Sequence, residues 1–416
     1  MKHTQISFAL LALLAVTTVI RPATAAEFAI HDGDRVVFLG DSITDQRLYT
    51  TVIEAYTLTR FPQWKLSFRN AGQPGGTAQS ELGTVSRDVL PLKPTFATID
   101  FGMNDHQYKA FQDDICKNYL DSQTKLVGML KGSGARVALV TPQPIEGKRP
   151  DPDKDVRNEA MRKMSDGLRE LAIKENVLFA DQFNPCMAVM LKARQADPAA
   201  TIGGDDPVHP GSIGQTVMAW AILKSLGAPA AVSSAEVNGV SGKVVSTTGC
   251  QITEAKVAAG VVSFKRQDAA LPLPIDPAAE AVTKLIPLLA DLSRYELKVT
   301  GLTGPKYQLV IDDKPAAVFT AQELAQGCNL TLSAGPITEQ ARQLWSLVVE
   351  KNNLFKKRWC DVQLCEPPAW VKTPTFEAKR EKELSRLDAQ IAQLETQINA
   401  ARQPQPHTFV VKPAAP

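Results

Sequence analysis

The stretch "VVFLGDSITDQ" (residues 36–46) predicts a buried strand that stops abruptly at Gly40. Four apolar residues in a row are typical of a strand covered on both faces, and two small polar residues, Asp41 and Ser42, follow the glycine. One interpretation is an ordinary turn from strand to helix, in which Asp41 or Ser42 caps the helix. The other is a sheet that presents the Ser42 hydroxyl as a nucleophile at its rim.

The chain around this stretch alternates between short apolar runs and longer amphipathic runs from residue 35 to about residue 228. We predict strands at 35–39, 65–69, 96–100, 136–141 and 177–180, with helices such as 113–131 and 155–174 between them. This alternation predicts right-handed βαβ units and a parallel sheet covered by helices on both faces. Ligands of such sheets bind beyond the carboxyl ends of the strands, where residues 40–42 and 102–105 both lie.

A second polar stretch, "GGDDPVHPGSIGQT" (residues 203–216), contains His209 with Asp206 three residues before it. Pro210 disfavours a helical conformation at His209 and suits the first position of a helix over residues 211–226. A carboxylate at this spacing on a turn can accept the Nδ1–H of the imidazole, which leaves Nε2 to take a proton from a serine. The alternative is that His209 only makes hydrogen bonds within its own loop and has no catalytic role.

Two further stretches at strand ends offer hydrogen-bond donors for an oxyanion. "NAGQPGGT" (residues 70–77) follows the second predicted strand, and Gly75 and Gly76 permit a close backbone approach, so that a backbone N–H can point into a site. Asn104 follows the third predicted strand, and its side-chain NH₂ can donate to an oxyanion. A tight βα turn and an Asx turn are the alternatives for these two stretches.

Together these blocks resemble the SGNH (GDSL) hydrolase family over about residues 33–228. The matching residues are Ser42 in G-D-S, Gly75 after the second strand, Asn104 in G-x-N-D, and Asp206 and His209 in D-x-x-H. The glycine block is the loosest match, and Gly72 fits it less well than Gly75. The resemblance implies a flavodoxin-like three-layer α/β sandwich and ester hydrolysis without a metal or another cofactor.

The resemblance also implies a role for each matching residue. Ser42 would be the nucleophile, His209 the general base and then the general acid, and Asp206 the carboxylate that orients the imidazole. The oxyanion hole would consist of the Ser42 N–H, the Gly75 N–H and the Asn104 side chain. We expect the neighbouring carboxylates, Asp41, Asp45 and Asp105, to brace these loops rather than to react.

The residue composition of the chain changes after residue 229. Residues 230–335 are rich in Val, Thr and Gly, which predicts a smaller β-rich region, whereas residues 336–402 predict a helical C-terminal region. Five apolar residues at 3,4,3,4 spacing form an a/d seam: Leu384, Leu387, Ile391, Leu394 and Ile398. The seam indicates either a homodimer through this helix or an amphipathic helix that lies on its own domain. The Pro-rich residues 403–416 are expected to be a disordered tail.

The N-terminus is typical of a secretory signal peptide. Lys2 and His3 precede an apolar run over residues 8–20, and a small-residue cleavage motif ends at Ala25. The alternative is an uncleaved membrane anchor, but the run is shorter than the ~20 apolar residues that a membrane span needs. We therefore expect a signal peptide over residues 1–25, export to the periplasm or the exterior, and a catalytic domain over residues 27–229 without an integral membrane segment.

The charge balance and the cysteines restrict the classes of partner and metal that the protein is expected to bind. Removal of residues 1–25 deletes Lys2 and Arg21 and no acidic residue, so the 46 basic and 44 acidic residues of the full chain become equal in number. A neutral chain disfavours nucleic acid or an anionic membrane as the partner. Six cysteines allow three disulfides after export, but none has the spacing of a metal site, so we interpret them as structural.

Three functions fit these residues. The first is an exported serine esterase that cleaves acyl esters of a small molecule or a glycan, such as acetylated carbohydrate. The second is a lysophospholipase or thioesterase for lipid acyl esters, which needs a long apolar pocket. The third is a non-catalytic glycan-binding protein, which the full set of nucleophile, base, orienting carboxylate and oxyanion donors disfavours.

Overall fold

Five parallel strands in the order β2-β1-β3-β4-β5 form the central sheet of the N-terminal half. They are β1 (Arg35–Gly40), β2 (Ser67–Gly72), β3 (Phe96–Asp100), β4 (Arg136–Val140) and β5 (Leu178–Ala180). This order is that of a flavodoxin-like sheet, so the predicted fold class is confirmed. The computed structural model describes residues 27–147 and 151–414, and the predicted signal peptide at residues 1–25 therefore lies outside the described residues.

Helices cover both faces of this sheet and complete three layers. They are α1 (Ser42–Asp45), α2 (Leu48–Arg60), α3 (Ala78–Glu81), α4 (Val85–Asp88), α5 (Asp113–Gly132), α6 (Val156–Glu175), α7 (Phe183–Ala196) and α8 (Ser212–Ser225), with short 3-10 turns at Leu90–Leu92 and Pro152–Lys154. Strand β1 shows why both faces need cover. Val36 and Phe38 pack with α2, α7 and α8 on one side, whereas Val37 and Leu39 pack with α3, α4, α5 and α6 on the other.

The region after residue 229 is a sandwich of two β-sheets, which confirms the predicted β-rich region. One sheet has the order β13-β10-β6-β7 and the other has the order β12-β11-β14-β9-β8. The strands are β6 (Ala231–Asn238), β7 (Val244–Thr248), β8 (Cys250–Ala258), β9 (Val261–Asp268), β10 (Arg294–Thr300), β11 (Lys306–Ile311), β12 (Lys314–Thr320), β13 (Cys328–Asn329) and β14 (Pro406–Pro413). Side chains such as Phe264, Leu297 and Phe409 fill a separate core between the sheets.

The expectation of a disordered tail over residues 403–416 is wrong. Residues Pro406–Pro413 form β14, which pairs antiparallel with both β9 and β11 and lies in the middle of its sheet. Phe409 and Val411 alternate into the core of the sandwich and are fully buried. The prolines that led to the expectation stand at the ends of the strand, where they cost no ladder hydrogen bond.

Helices connect the sandwich to the N-terminal half. They are the 3-10 segment Pro277–Lys284, α9 (Leu288–Leu292), α10 (Ala321–Gln326), α11 (Pro336–Lys356), a π-helical turn (Lys357–Gln363) and α12 (Pro374–Ala401). The predicted seam lies on α12, and Leu387, Ile391, Leu394 and Ile398 are buried within the chain itself. Ile391 belongs to the same hydrophobic cluster as Phe355 of α11 and Trp359 of the π-helical turn. The seam therefore packs on its own molecule, as the second interpretation predicts.

The six cysteines are free thiols in the structure, with Cys186 and Cys328 buried. Among residues 27–147 and 151–414, no helix is long and apolar enough to cross a membrane. The same residues contain no cluster of His, Cys, Asp and Glu that could hold a metal ion.

Candidate active site

Gly40 lets helix α1 fold back onto the end of β1. A Cβ at this position would lie 2.1 Å from Thr44 Oγ1 and 2.7 Å from the Asp100 carbonyl oxygen, so no larger residue fits. Asp41 is the N-cap of α1, and its Oδ1 accepts a hydrogen bond of 2.9 Å from the Ile43 N–H. Because Asp41 caps the helix, the Ser42 hydroxyl remains available for another partner.

The structure brings Ser42, His209 and Asp206 into one hydrogen-bonded chain. Ser42 Oγ lies 2.9 Å from His209 Nε2, and His209 Nδ1 lies 3.0 Å from Asp206 Oδ2. The second oxygen of Asp206 accepts the backbone N–H groups of Val208 and His209 at 2.8 and 3.0 Å. Residues 167 positions apart in the sequence thus meet at one edge of the sheet.

The hydrogen bonds of Asp206 keep its carboxylate ionised. Partial burial by itself would raise its pKa, but the two backbone N–H groups and the ring of His209 outweigh burial, so the pKa of Asp206 falls below its ordinary value. An ionised Asp206 accepts the Nδ1–H of His209, which leaves Nε2 as the unprotonated nitrogen that faces the Ser42 hydroxyl. The side chains of His209 and Asp206 are 35% and 53% exposed, so a bulky substrate can reach them.

Two of the three predicted oxyanion donors are backbone N–H groups without an internal partner. Among the described residues, neither the Ser42 N–H nor the Gly75 N–H donates a hydrogen bond. Gly75 has a φ of +74°, a conformation that glycine adopts without strain. The N–H of Gly72, in contrast, donates to Asn70 Oδ1 at 3.0 Å, so Gly75 is the better donor.

Asn104, the third predicted donor, is held at both ends of its amide. Its Nδ2 donates to the Gly76 carbonyl at 3.0 Å, and its Oδ1 accepts the Tyr108 hydroxyl at 3.2 Å. These two contacts fix the orientation of the amide and leave one N–H for a substrate. Tyr108 follows Gln107 in a left-handed backbone conformation, with φ values of 57° and 54°, and no motif in the sequence indicated its contact with Asn104.

Three carboxyl groups lie near Ser42: Asp41 and Asp100 are buried, and Asp105 is half-buried with its Oδ2 atom buried. Burial raises the pKa of Asp41 to about 6, although the Ile43 N–H and the nearby His209 oppose the rise. Burial and the charge of Asp41 raise the pKa of Asp105 to about 7 and that of Asp100 well above its ordinary value. Asp105 Oδ1 accepts the Ala78 N–H at 2.9 Å, so this side chain joins the loop after β3 to the loop after β2.

Two further residues near the site, Asp45 and His106, make contacts that hold parts of the fold together. Asp45 pairs with Lys356 of α11 at 2.5 Å, which ties helix α1 to the C-terminal region. His106 is buried, with Nδ1 lying 3.2 Å from the Gly102 carbonyl and its ring packed on Tyr108.

Glu146, in the loop after β4, braces the loop that carries Asp206 and His209. Its buried carboxylate accepts the N–H groups of Ile202 and Gly203 at 2.9 and 2.5 Å. Its own N–H donates to the Pro207 carbonyl at 2.9 Å. The sequence reasoning missed this residue, and its position at the carboxyl end of a predicted strand was the only indication available.

Comparisons with known proteins concern both halves of the chain. Residues 38–217 match the GDSL-like Lipase/Acylhydrolase family. An acetylxylan esterase of Geobacillus stearothermophilus is 26% identical over an alignment of 223 positions that covers 48% of this chain and 96% of that protein. The solved structure of a gut microbial diltiazem-metabolizing enzyme superposes with a TM-score of 0.81 at 26% identity, covering 94% of this chain and 99% of that chain. Because it covers 94% of this chain, the superposition on the diltiazem-metabolizing enzyme extends over the sandwich and the C-terminal helices.

Proposed function

We propose that the chain is a serine ester hydrolase of the GDSL-like lipase/acylhydrolase type, whose family model matches residues 38–217, and that Ser42, His209 and Asp206 are its catalytic triad. The observation that carries the proposal is the contact of 2.9 Å between Ser42 Oγ and His209 Nε2, continued at 3.0 Å to Asp206. The nucleophile, the base and the orienting carboxylate of a serine hydrolase have this arrangement.

In the acylation step, Ser42 Oγ attacks the ester carbonyl carbon while its proton passes to His209 Nε2. The carbonyl oxygen becomes an oxyanion, which the Ser42 N–H, the Gly75 N–H and the free N–H of Asn104 stabilise. The bond between the carbonyl carbon and the alcohol oxygen then breaks, and the alcohol leaves with the proton from His209. In the second step His209 takes a proton from water, the water oxygen attacks the acyl group, and Ser42 regains its proton as the acid departs.

We propose acetylated carbohydrate as the substrate class. The acetylxylan esterase relative acts on such a substrate by name, and His209 and Asp206 are exposed enough for a glycan to approach. The diltiazem-metabolizing relative, which shares nearly the whole architecture, favours a small-molecule ester as the second candidate. Lipid acyl esters are the remaining alternative.

Hydrolysis of p-nitrophenyl acetate tests the triad. We expect Ser42→Ala and His209→Ala each to lower kcat by roughly 10⁴-fold or more, because each removes a member of one catalytic unit. Asn104→Ala should cost less, ~10²–10³-fold, since the two backbone donors remain. Ser385→Ala, on the exposed face of α12, is the matched control and should leave the rate unchanged. Undiminished activity of the His209→Ala protein would refute the proposed base.

A comparison of acyl chains tests the substrate class. The proposal expects acetyl esters of xylo-oligosaccharides to be cleaved with a higher kcat/KM than lysophospholipids or p-nitrophenyl esters of long fatty acids. Preference for the long chains would support the lipid alternative instead.

We also propose that the protein is exported, because residues 1–25 have the three regions of a signal peptide. N-terminal sequencing of the protein from its native cells should then begin near Ala26. An intact Met1 in the native protein would contradict the proposal.

A further inference from the structure

A cavity of about 650 Å³ lies beside the loop that carries His209 and Asp206. Its lining includes Glu146, Arg157, Arg194, Thr201, Asp205 and Pro207. Asp205 and Pro207 flank Asp206 in the sequence, so the wall of the cavity and the proposed catalytic carboxylate belong to the same loop. The volume falls within the range of about 300–1,000 Å³ that is usual for small-molecule sites.

The chemistry of ester cleavage places the leaving alcohol on this side of the nucleophile. His209 Nε2 lies 2.9 Å from Ser42 Oγ and must pass its proton to the alcohol oxygen as the ester bond breaks. The alcohol therefore projects toward His209 and its loop. The oxyanion donors Gly75 and Asn104 lie on the loops after β2 and β3 instead, so they bind the carbonyl oxygen.

The lining of the cavity suits a polyhydroxylated group rather than an alkyl chain. It offers the Arg157 guanidinium, the Asp205 carboxylate and the Thr201 hydroxyl, which would lose hydration to an alkyl chain without compensation. Arg157 uses Nε and Nη2 on Asp155, at 3.0 and 2.7 Å, and its Nη1 makes no hydrogen bond among the described residues. Asp205 is exposed on the loop that carries Asp206 and His209, whereas Arg157 lies on α6. One cation and one carboxylate are thus presented toward the same space.

We propose that this cavity is the subsite for the alcohol portion of the substrate, and that it binds the sugar ring that carries the acyl ester through Arg157, Thr201 and Asp205. The proposal rests on the proposed esterase function and adds its specificity. Glu146 and Arg194 hold the walls, since Glu146 binds the N–H groups of residues 202 and 203 and Arg194 donates to the carbonyls of residues 147 and 200.

The first experiment compares two substrates in Arg157→Gln and Asp205→Asn. One substrate is an O-acetylated xylo-oligosaccharide and the other is p-nitrophenyl acetate, whose leaving group has no sugar hydroxyls. We expect the ratio of kcat/KM for the oligosaccharide to that for p-nitrophenyl acetate to fall about tenfold, mainly through KM, because each variant removes a hydrogen bond to a charged group. Asp166→Asn, an exposed carboxylate on α6 outside the cavity, should leave the ratio unchanged.

The second experiment separates binding from catalysis. Calorimetry measures the binding of deacetylated xylo-oligosaccharide to Ser42→Ala and to Ser42→Ala/Arg157→Gln, neither of which needs to turn over. Weaker binding by the double variant supports the subsite whether or not the triad is correct. An unchanged ratio in the first experiment, or an oligosaccharide that Ser42→Ala does not bind, would overturn the subsite. If the unmodified protein does not hydrolyse p-nitrophenyl acetate, the proposed esterase function is wrong. That result by itself does not contradict the sugar-binding subsite.

Discussion

Asp105 is a carboxyl group that the fold buries close to another carboxyl group. Its Oδ2 is buried and has no hydrogen-bond partner among the described residues, and burial together with Asp41 raises its pKa from 3.8 to about 7. The folded protein therefore binds a proton at this residue in a pH range where the unfolded chain does not. Stability from this group is present near pH 4 and is lost as the pH rises toward about 7.

Replacement of Asp105 by Asn should therefore remove a pH dependence. Asn keeps an oxygen that can accept the Ala78 N–H but has no charge to bury. We expect the two proteins to unfold with similar free energies near pH 4, and the Asn variant to be more stable at pH 8 by on the order of 3 kcal/mol. Urea denaturation at several pH values measures the difference, with Asp166→Asn as the exposed control. Parallel curves for Asp105→Asn and the parent protein would contradict the pKa assignment.

At the scale of the residue, the sequence predicts a side chain well when a short motif contains its neighbours. Asp206 and His209 are three positions apart, so the orientation of the imidazole could be inferred from the turn between them. Glu146 contacts a loop 56 residues further along the chain, and no local spacing encodes that contact. Tyr108 lies four residues after Asn104, but its contact depends on two left-handed residues that nothing in the sequence marks.

Helix α11 is joined to α2 of the catalytic half by a buried ion pair. Lys351 Nζ lies 2.6 Å from Glu54 Oε1, and the two side chains are 2% and 4% exposed. Asn352 Nδ2 donates to the second oxygen of Glu54 at 3.0 Å, and Lys351 also reaches the Phe68 carbonyl at 3.3 Å. Burial lowers the pKa of Lys351, and Glu54 opposes the change. Such a pair depends on both partners.

Loss of one partner should therefore be more harmful than loss of both. We expect Lys351→Met to lower the free energy of unfolding by about 3–5 kcal/mol, since Glu54 stays buried without its cation. The double variant Lys351→Met/Glu54→Leu should recover most of this loss. Lys314→Met breaks an exposed pair with Glu339 and should cost no more than about 1 kcal/mol. Urea denaturation measures all three, and equal effects at the two lysines would show that the buried pair has no special weight.

At the scale of the element, regular apolar patterns made the strands and helices of the first half predictable. The predicted strand over residues 96–100 coincides with β3, because every residue of that run is buried between two helical layers. β14 was missed because prolines at its ends obscured an alternation of only a few residues. The apolar seam of α12 was predicted, but the sequence did not determine which surface covers it. An apolar stripe does not specify whether its own chain or another chain packs against it.

Helices that follow residue 229 share one hydrophobic core with the N-terminal half, whereas the sandwich keeps a core of its own. Buried side chains from outside the catalytic region pack in the same cluster as Val217 and Ile222 of α8, and they are Leu288, Leu292, Leu344, Val348 and Ile398. The ion pairs of Glu54 with Lys351 and of Asp45 with Lys356 cross the same boundary. The composition change after residue 229 marks a new architecture in the sequence, but it does not show that the C-terminal half covers the catalytic region.

A fragment of residues 27–229 should accordingly fail to fold stably. Without those five aliphatic side chains, its core loses about 1.5–3 kcal/mol for each, a total comparable to the 5–15 kcal/mol that stabilises a typical domain. We expect no cooperative thermal transition by circular dichroism and rapid digestion by protease, whereas residues 27–416 unfold cooperatively. A chain that ends at residue 403 is the intermediate case, because it keeps α11 and α12 over the catalytic half and loses only β14. It should lose the sandwich and retain part of the catalytic core, measured as hydrolysis of p-nitrophenyl acetate. A fragment of residues 27–229 with a sharp melting transition and the full rate would show that the shared core contributes little.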